Sequence, residues 1–261
     1  MNGIYLIPDA NRIEESMVLA KEYGAYFEYN DFFAPTVLDD ETEIEKRIAF
    51  YKGLSRDRSY DTLHGAFLDV TIHSEDTLIR KVSEQRVRQC MEIAKKLEIR
   101  GVVFHTNTIP NFRVDYYQKN WVECNERFWR QILMEYPRLS VFMENMFDEE
   151  PKLLAELARR MKDEERFGIC FDYAHAQVFG YEIDEWLEEF GPYVKHMHIN
   201  DNNLVADLHQ SVGSGKIDWQ LYNKKLKEKQ IESTVLIEVK DLKLQKESLL
   251  FMQKNKIYPY Q

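Results

Sequence analysis

The chain predicts an α/β fold, a single (β/α)8 barrel, and three observations carry that reading. Eight short β-rich runs alternate with helical stretches, and parallel neighbours need such helical crossovers. The length of 261 residues matches one barrel domain, so residues 1–261 read as a single domain with no linker or composition break. Six consecutive runs, the third to the eighth, end on a histidine or a carboxylate, where a barrel gathers its reactive groups.

The first strand is Gly3–Ile7, followed by a helix that Asn11 caps, with Glu14 as its capping-box partner and Gly24 as its stop. The second is Ala25–Tyr29, with Glu28 near its end, and a helix then runs to about Gly53. The third, Thr62–Gly65, carries His64, and a long helix covers Glu75–Glu98. Gly101–His105 (GVVFH) is a short apolar run of the buried parallel kind. A polar loop and a helix to Tyr136 lead to Leu139–Glu144, and Pro151 opens the next helix. Phe167–Asp172 precedes a short helix over Asp184–Phe190, which Gly191-Pro192 ends. Val194–Ile199 is the seventh strand; a helix starting at Asp218 and the eighth strand, Thr234–Val239, come before a final helix.

Bulk composition narrows the function. No apolar run approaches the roughly 18 residues of a membrane span, and MNGIYLIPDANRIEES has no basic region before an apolar one, so a cytoplasmic location is expected. Cys90, Cys124 and Cys170 show no paired spacing and read as reduced core thiols. A net charge of -10 is poor bait for a phosphate backbone and argues against nucleic acid as a partner. The chain leaves room for a homo-oligomer.

The densest chemistry lies in VKHMHINDNNLVADLHQSVGSGKIDW, which holds His196, His198, Asp201, Asp207 and His209. His64, His105, Glu144, Asp172, His198 and Glu238 mark the ends of six strands, and no lysine or arginine ends those strands to neutralise them. Inward carboxylates need partners, because an unpaired buried charge is costly, and a divalent ion supplies one. Glu144, Asp172, His198 and Glu238 are the strongest metal candidates; His64, His105 and His175 serve as further ligands or as substrate contacts. Asp207 and His209 form a D-x-H pair that the Gly213-Ser214-Gly215 turn can fold back over the mouth. His196, two residues before His198, reads as a hydrogen-bonded core group one layer deeper, and His73 as solvent-exposed. Phe32, Phe33, Phe112, Tyr116, Tyr117, Phe147, Phe179 and Trp219 either line a sugar-binding mouth or pack loops. All-nitrogen and oxygen donors suit Zn, Mn, Co or Mg, and the histidines argue against Ca.

MEN around Glu144, FDYAH around Asp172 and His175, HIND around His198 and LIEV around Glu238 resemble the xylose-isomerase-like TIM barrel superfamily, which joins sugar isomerases and epimerases with endonuclease IV. The resemblance covers most of the chain. It implies that Glu144, Asp172, His198 and Glu238 form the single-metal site of the ketose epimerases. In those enzymes the two glutamates also trade a proton on opposite faces of the substrate through an enediolate. The arginine that those epimerases place after the strand-seven histidine is missing from INDNNLVADLH. The series His64, His105, Glu144, Asp172, His175, His198, Asp207, His209 and Glu238 matches in order the nine-ligand set of endonuclease IV, a three-zinc enzyme that cuts abasic DNA. Against that alternative stand NMFDEE after Glu144, HTNTIPN after strand four, and the net charge. The resemblance therefore implies a metal-dependent isomerase or epimerase of a sugar, sugar phosphate or polyol, with Glu144 and Glu238 as its acid/base pair and a small sugar-like molecule as its partner.

Overall fold

The computed structural model of the chain describes residues 3–180 and 183–260. Eight parallel strands close into a barrel in sequence order: β1 (Ile4–Leu6), β2 (Tyr26–Tyr29), β3 (Thr62–His64), β4 (Gly101–His105), β5 (Ser140–Glu144), β6 (Phe167–Asp172), β7 (Val194–Ile199) and β8 (Thr234–Ile237). Closure runs through β1 and β8, where Ile4 pairs with Val235 and Leu6 with Ile237. The (β/α)8 expectation holds, and six of the strands end on or beside the residues the sequence singles out. Glu238 falls one position beyond β8, where its N–H still donates to the carbonyl of Ile199.

Helices α1 (Ile13–Tyr23), α2 (Pro35–Leu38), α3 (Glu41–Lys52), α4 (Thr77–Leu97), α5 (Asp115–Glu135), α6 (Lys152–Arg160), α7 (Tyr173–Phe179), α8 (Ile183–Phe190), α9 (Trp219–Glu228) and α10 (Leu242–Asn255) surround the sheet. Their apolar faces and the outward strand residues make the main core, with Trp121, Trp129 and Trp186 fully buried. Aspartates start many of the helices: Asp40, Asp76, Asp218 and Asp241 each accept a hydrogen bond from the first turn. Near the N-terminus the cap is not Asn11. Asp9 accepts from Asn11 N at 2.9 Å and caps a single 3₁₀ turn, Ala10–Arg12, so α1 starts later than the cap motif suggests. Among the described residues no helix is long and apolar enough to cross a membrane.

Inward side chains alternate with outward ones and stack in two layers. Val103, Phe142 and Cys170 pack together as a small apolar group inside the barrel. Two residues further along the same strands stand His105, Glu144 and Asp172, at the C-terminal mouth.

His73 is buried, at 4% exposure, against the expectation of a solvent-facing loop. Asn120 Nδ2 donates to its backbone carbonyl at 2.8 Å, and the Tyr117 hydroxyl lies 3.3 Å from its Nε2. Those partners sit on α5, which no local pattern around His73 reveals. Burial pulls its pKa down to about 4, so the folded chain keeps the ring neutral. Below about pH 6.5 the unfolded chain binds a proton that the folded chain refuses. Stability should therefore fall from about pH 6.5 to pH 4, by at most about 3 kcal/mol from this group, and level off below. Urea unfolding across that range is expected to show a shallower acid limb for His73→Asn; an unchanged limb would mean that burial of His73 is not its source.

Candidate active site

A cavity of about 420 Å³ opens at the C-terminal ends of the strands. His64, His105, His175, Asp207, His209 and Glu238 line it together with Phe33, Phe67 and Met146. Beneath them Glu144, Asp172 and His198 are fully buried.

Three groups of donors meet here. Glu144, Asp172, His198 and Glu238 present one ligand atom each, all within 4.8 Å of one another. His64, His105 and the same Glu144 form a second group within that limit, with the Nε2 atoms of His64 and His105 at 3.5 and 3.3 Å from Glu144 Oε2. In the third, Asp207 Oδ2 lies 3.4 Å from His175 Nε2 and 2.8 Å from His209 Nε2. All nine residues that the sequence singles out thus converge on one mouth.

Backbone carbonyls orient three of the imidazoles. Nδ1 of His64, His175 and His209 lies 3.2, 2.9 and 2.7 Å from the carbonyl oxygens of Gly65, Asn145 and Glu238. A carbonyl only accepts, so each Nδ1 carries a proton and each Nε2 faces a carboxylate oxygen. A lone pair aimed at a carboxylate is repulsive unless a proton or a metal ion lies between. Without the ion, protons take that place. His209 is raised to about 10: burial opposes the charge, but Glu238 and Asp207 overcome it. His175 is raised well above its usual value, against burial, by Asp172, Asp207 and Glu144. Burial pushes Asp172 up to about 8, with Glu238 and Glu144 adding to the rise and His175 opposing it.

The donor set fits a divalent cation. Both oxygens of Glu144, Oδ2 of Asp172, Oε2 of Glu238 and Nδ1 of His198 are buried without a hydrogen-bond partner among the described residues. Polar atoms left bare in an interior cost free energy. Five such atoms converging on one space are what a cation of borderline hardness would satisfy.

The β7 loop carries Asp207 and His209, and Asp201 shapes it. Asp201 is fully buried, and its carboxylate accepts from Gly213 N at 2.8 Å, Ile217 N at 3.1 Å, Trp219 Nε1 at 2.8 Å and Asn202 N at 2.9 Å. Its backbone exchanges two hydrogen bonds with Gln210, both at 2.9 Å, which returns the loop over the mouth. A Cβ at Gly215 would stand 2.3 Å from Asp201 Oδ1, so glycine is required there. Asp201 is therefore a structural staple and not a member of the donor groups. His209 adopts φ 46°, a sparsely populated backbone region, and its ring reaches Asp207 from there.

The aromatic candidates divide. Phe33 lines the cavity, with its ring 5.4 Å from that of Phe67. Phe32 and Trp219 are buried, Phe147 and Phe179 pack on each other, Tyr117 sits against His73, and Phe112 and Tyr116 are exposed. His196 lies one layer down, as expected, 2.6 Å from Thr234 Oγ1. Three further residues shape the site without standing out in the sequence. Glu28 lies between His196 and His198, at 3.3 and 3.2 Å, and stays below the usual carboxylate range because those imidazoles outweigh its burial. Asn145 locks β5 to β6 through two 2.9 Å bonds with the Asp172 backbone. Lys240 is the one lysine or arginine among the described residues lining the cavity, with Nζ 5.6 Å from the centre of the Phe33 ring. Glu28 obeys the same strand-end rule as the other six, and that rule is the signal that could have found it.

Comparison with known proteins agrees with this architecture. The uncharacterised protein MJ1311 of Methanocaldococcus jannaschii is 28% identical over 69% of this chain and 64% of its own length. MJ1614 of the same organism is 30% identical over 70% of this chain and 73% of its own. Apurinic-apyrimidinic endonuclease 1 of Plasmodium falciparum is 23% identical over 71% of this chain, which spans only 34% of that relative. Among solved structures, the TTHB071 protein from Thermus thermophilus, soaked with ZnCl2, superposes at a TM-score of 0.73 with 23% identity over 97% of each chain. A D-tagatose 3-epimerase-like protein superposes at 0.72 with 22% identity over 96% of each. Residues 18–255 match the family described as xylose isomerase-like TIM barrel, and the chain belongs to that family.

Proposed function

We propose that this chain is a divalent-metal-dependent isomerase or epimerase acting on a sugar, sugar phosphate, polyol or related hydroxy-carbonyl compound. The observation that carries the reading is the convergence of Glu144 and Glu238 with Asp172 and His198 within 4.8 Å, beneath a cavity of about 420 Å³ that suits a small molecule. A zinc, manganese, cobalt or magnesium ion held by these four residues would supply Lewis acidity, making the carbon-bound proton beside the substrate carbonyl more acidic. One of the two glutamates removes that proton and the other returns one to the opposite face, with no change in oxidation state. The glutamate that removes the proton starts ionised and the one that returns it starts protonated, and among the described residues neither Glu144 nor Glu238 Oε2 is held elsewhere by a hydrogen bond. His64, His105 and His175 face the cavity as contacts for substrate hydroxyls, and the rings of Phe33 and Phe67 give an apolar wall. Three buried free thiols suit a reducing, cytoplasmic setting.

One observation favours a second reading. His175, Asp207 and His209 form a donor group of their own, and nine converging donors suit phosphodiester hydrolysis of the endonuclease IV type. The two readings separate in one experiment. The chain, loaded in turn with Zn, Mn, Co and Mg, is incubated in deuterium oxide with a panel of ketoses and, separately, with an abasic-site duplex. Deuterium entry at a carbon beside the ketose carbonyl, with the duplex intact, is the expected result. Duplex cleavage without exchange would establish the hydrolase reading instead, and neither activity would sink both.

A further inference from the structure

We infer that Glu28 is the positioning residue that fixes His198 for metal binding, holding its Nε2–H so that Nδ1 presents a lone pair to the donor group above; this rests on the metal-dependent reading. His198 spans two polar layers of the barrel. Its Nδ1 faces upward, 3.3 Å from Glu144 Oε1 and 3.6 Å from Glu238 Oε2. Its Nε2 faces down, 3.2 Å from Glu28 Oε1, and among the described residues both atoms are buried with no other group completing a hydrogen bond to them. The ring carries no exposure, and nor does the carboxylate, so bulk solvent reaches neither.

Glu28 is itself held from below and from the side. Thr62 Oγ1 donates to its Oε2 at 2.7 Å, and His196 Nε2 lies 3.3 Å from that same oxygen. His196 in turn rests on Thr234 Oγ1 at 2.6 Å. Four strands, β2, β3, β7 and β8, therefore contribute to one buried polar chain that ends at His198. The Cys170 thiol shares that neighbourhood, within 4.8 Å of His196 and His198, but a thiol is a weak acceptor beside a carboxylate. A carboxylate behind a ligating imidazole fixes the ring and makes its free nitrogen a better donor. It also explains why an acid is tolerated so deep in the barrel: Thr62 donates to one of its oxygens, and the imidazoles of His196 and His198 stand 3.3 and 3.2 Å from the pair.

The test uses the full chain and zinc, with affinity read by competition against a chromophoric chelator. Glu28→Gln is expected to weaken zinc by about 10- to 100-fold while the metal-free melting temperature stays within a few degrees of wild type. Long-range proton–nitrogen correlation spectra of the zinc-loaded, histidine-labelled chain are expected to show His198 protonated at Nε2 and bare at Nδ1, with the Nε2 proton shifted downfield by the Glu28 carboxylate and that shift lost in Glu28→Gln. Unchanged zinc affinity in Glu28→Gln, or a wild-type His198 protonated at Nδ1, overturns the inference. If Glu28→Gln does not fold, Thr62→Val removes one of its donors and is expected to weaken zinc by about 3-fold; no change there overturns the inference as well. A wild-type chain that takes up no zinc overturns both this role and the metal-dependent reading. Normal zinc binding without ketose exchange sinks only the proposed reaction.

Discussion

Glu144→Gln is expected to lower deuterium exchange into the substrate by about 10²- to 10⁴-fold, the range that a positioned general acid or base contributes. Glu238→Gln should fall in the same range, because proton removal and return use one carboxylate each. Both residues also belong to the four-residue donor group, so loss of activity alone would not separate proton transfer from metal loss. Asp172→Asn supplies the contrast. It removes a charge from that group and leaves both proposed proton carriers in place. Metal content is measured alongside exchange for all three variants, and activity is expressed per bound ion. On that scale the two glutamine variants should stay depressed while Asp172→Asn recovers most of its rate. Full exchange in either glutamine variant that still holds metal would end the two-glutamate mechanism.

The largest effect on stability is expected from Asp201→Ala. Its carboxylate accepts four hydrogen bonds, three of them from backbone N–H groups, and it is fully buried. Truncation leaves those donors without a partner. Each unsatisfied buried group costs about 1–3 kcal/mol, but the loop can relax to let water reach some of them. A net loss of about 4 kcal/mol is the expected outcome in urea unfolding. Asp201→Asn keeps the shape and loses the charge, and should cost about half as much. The loss should be local before it is global: protease should nick the 203–215 segment in Asp201→Ala under conditions that leave the wild type intact. A change below about 1 kcal/mol would show that the loop is held by other contacts.

Most of the barrel can be read directly from the sequence because its signals are local. GVVFH and FGICFD are strands whose observed bounds coincide with the apolar runs, since burial on both faces leaves few polar residues to blur them. The convergence of six strand ends also follows from the sequence, because a parallel barrel puts every C-terminal end on one face. What escapes such a reading depends on distant partners. His73 looks like a loop residue until α5 packs over it, and Asp201 looks like one more carboxylate in a histidine-rich stretch until residues 213–219 fold back onto it. Trp219 follows suit: its indole serves Asp201 and not the mouth. The helices α2 and α7 escape for a different reason, being four and seven residues long, too short to show a hydrophobic period.

Glu144 has oxygens in two donor groups at once, one with His64 and His105 and one with Asp172, His198 and Glu238. Sharing one carboxylate makes the two occupancies a single linked equilibrium. An ion at either group alters the affinity of the other, and the reverse coupling has the same size by thermodynamic necessity. If both groups take an ion, the number of ions per chain would follow the free metal concentration around it. A chain charged sparingly and one charged to saturation would be chemically different catalysts built on one set of side chains.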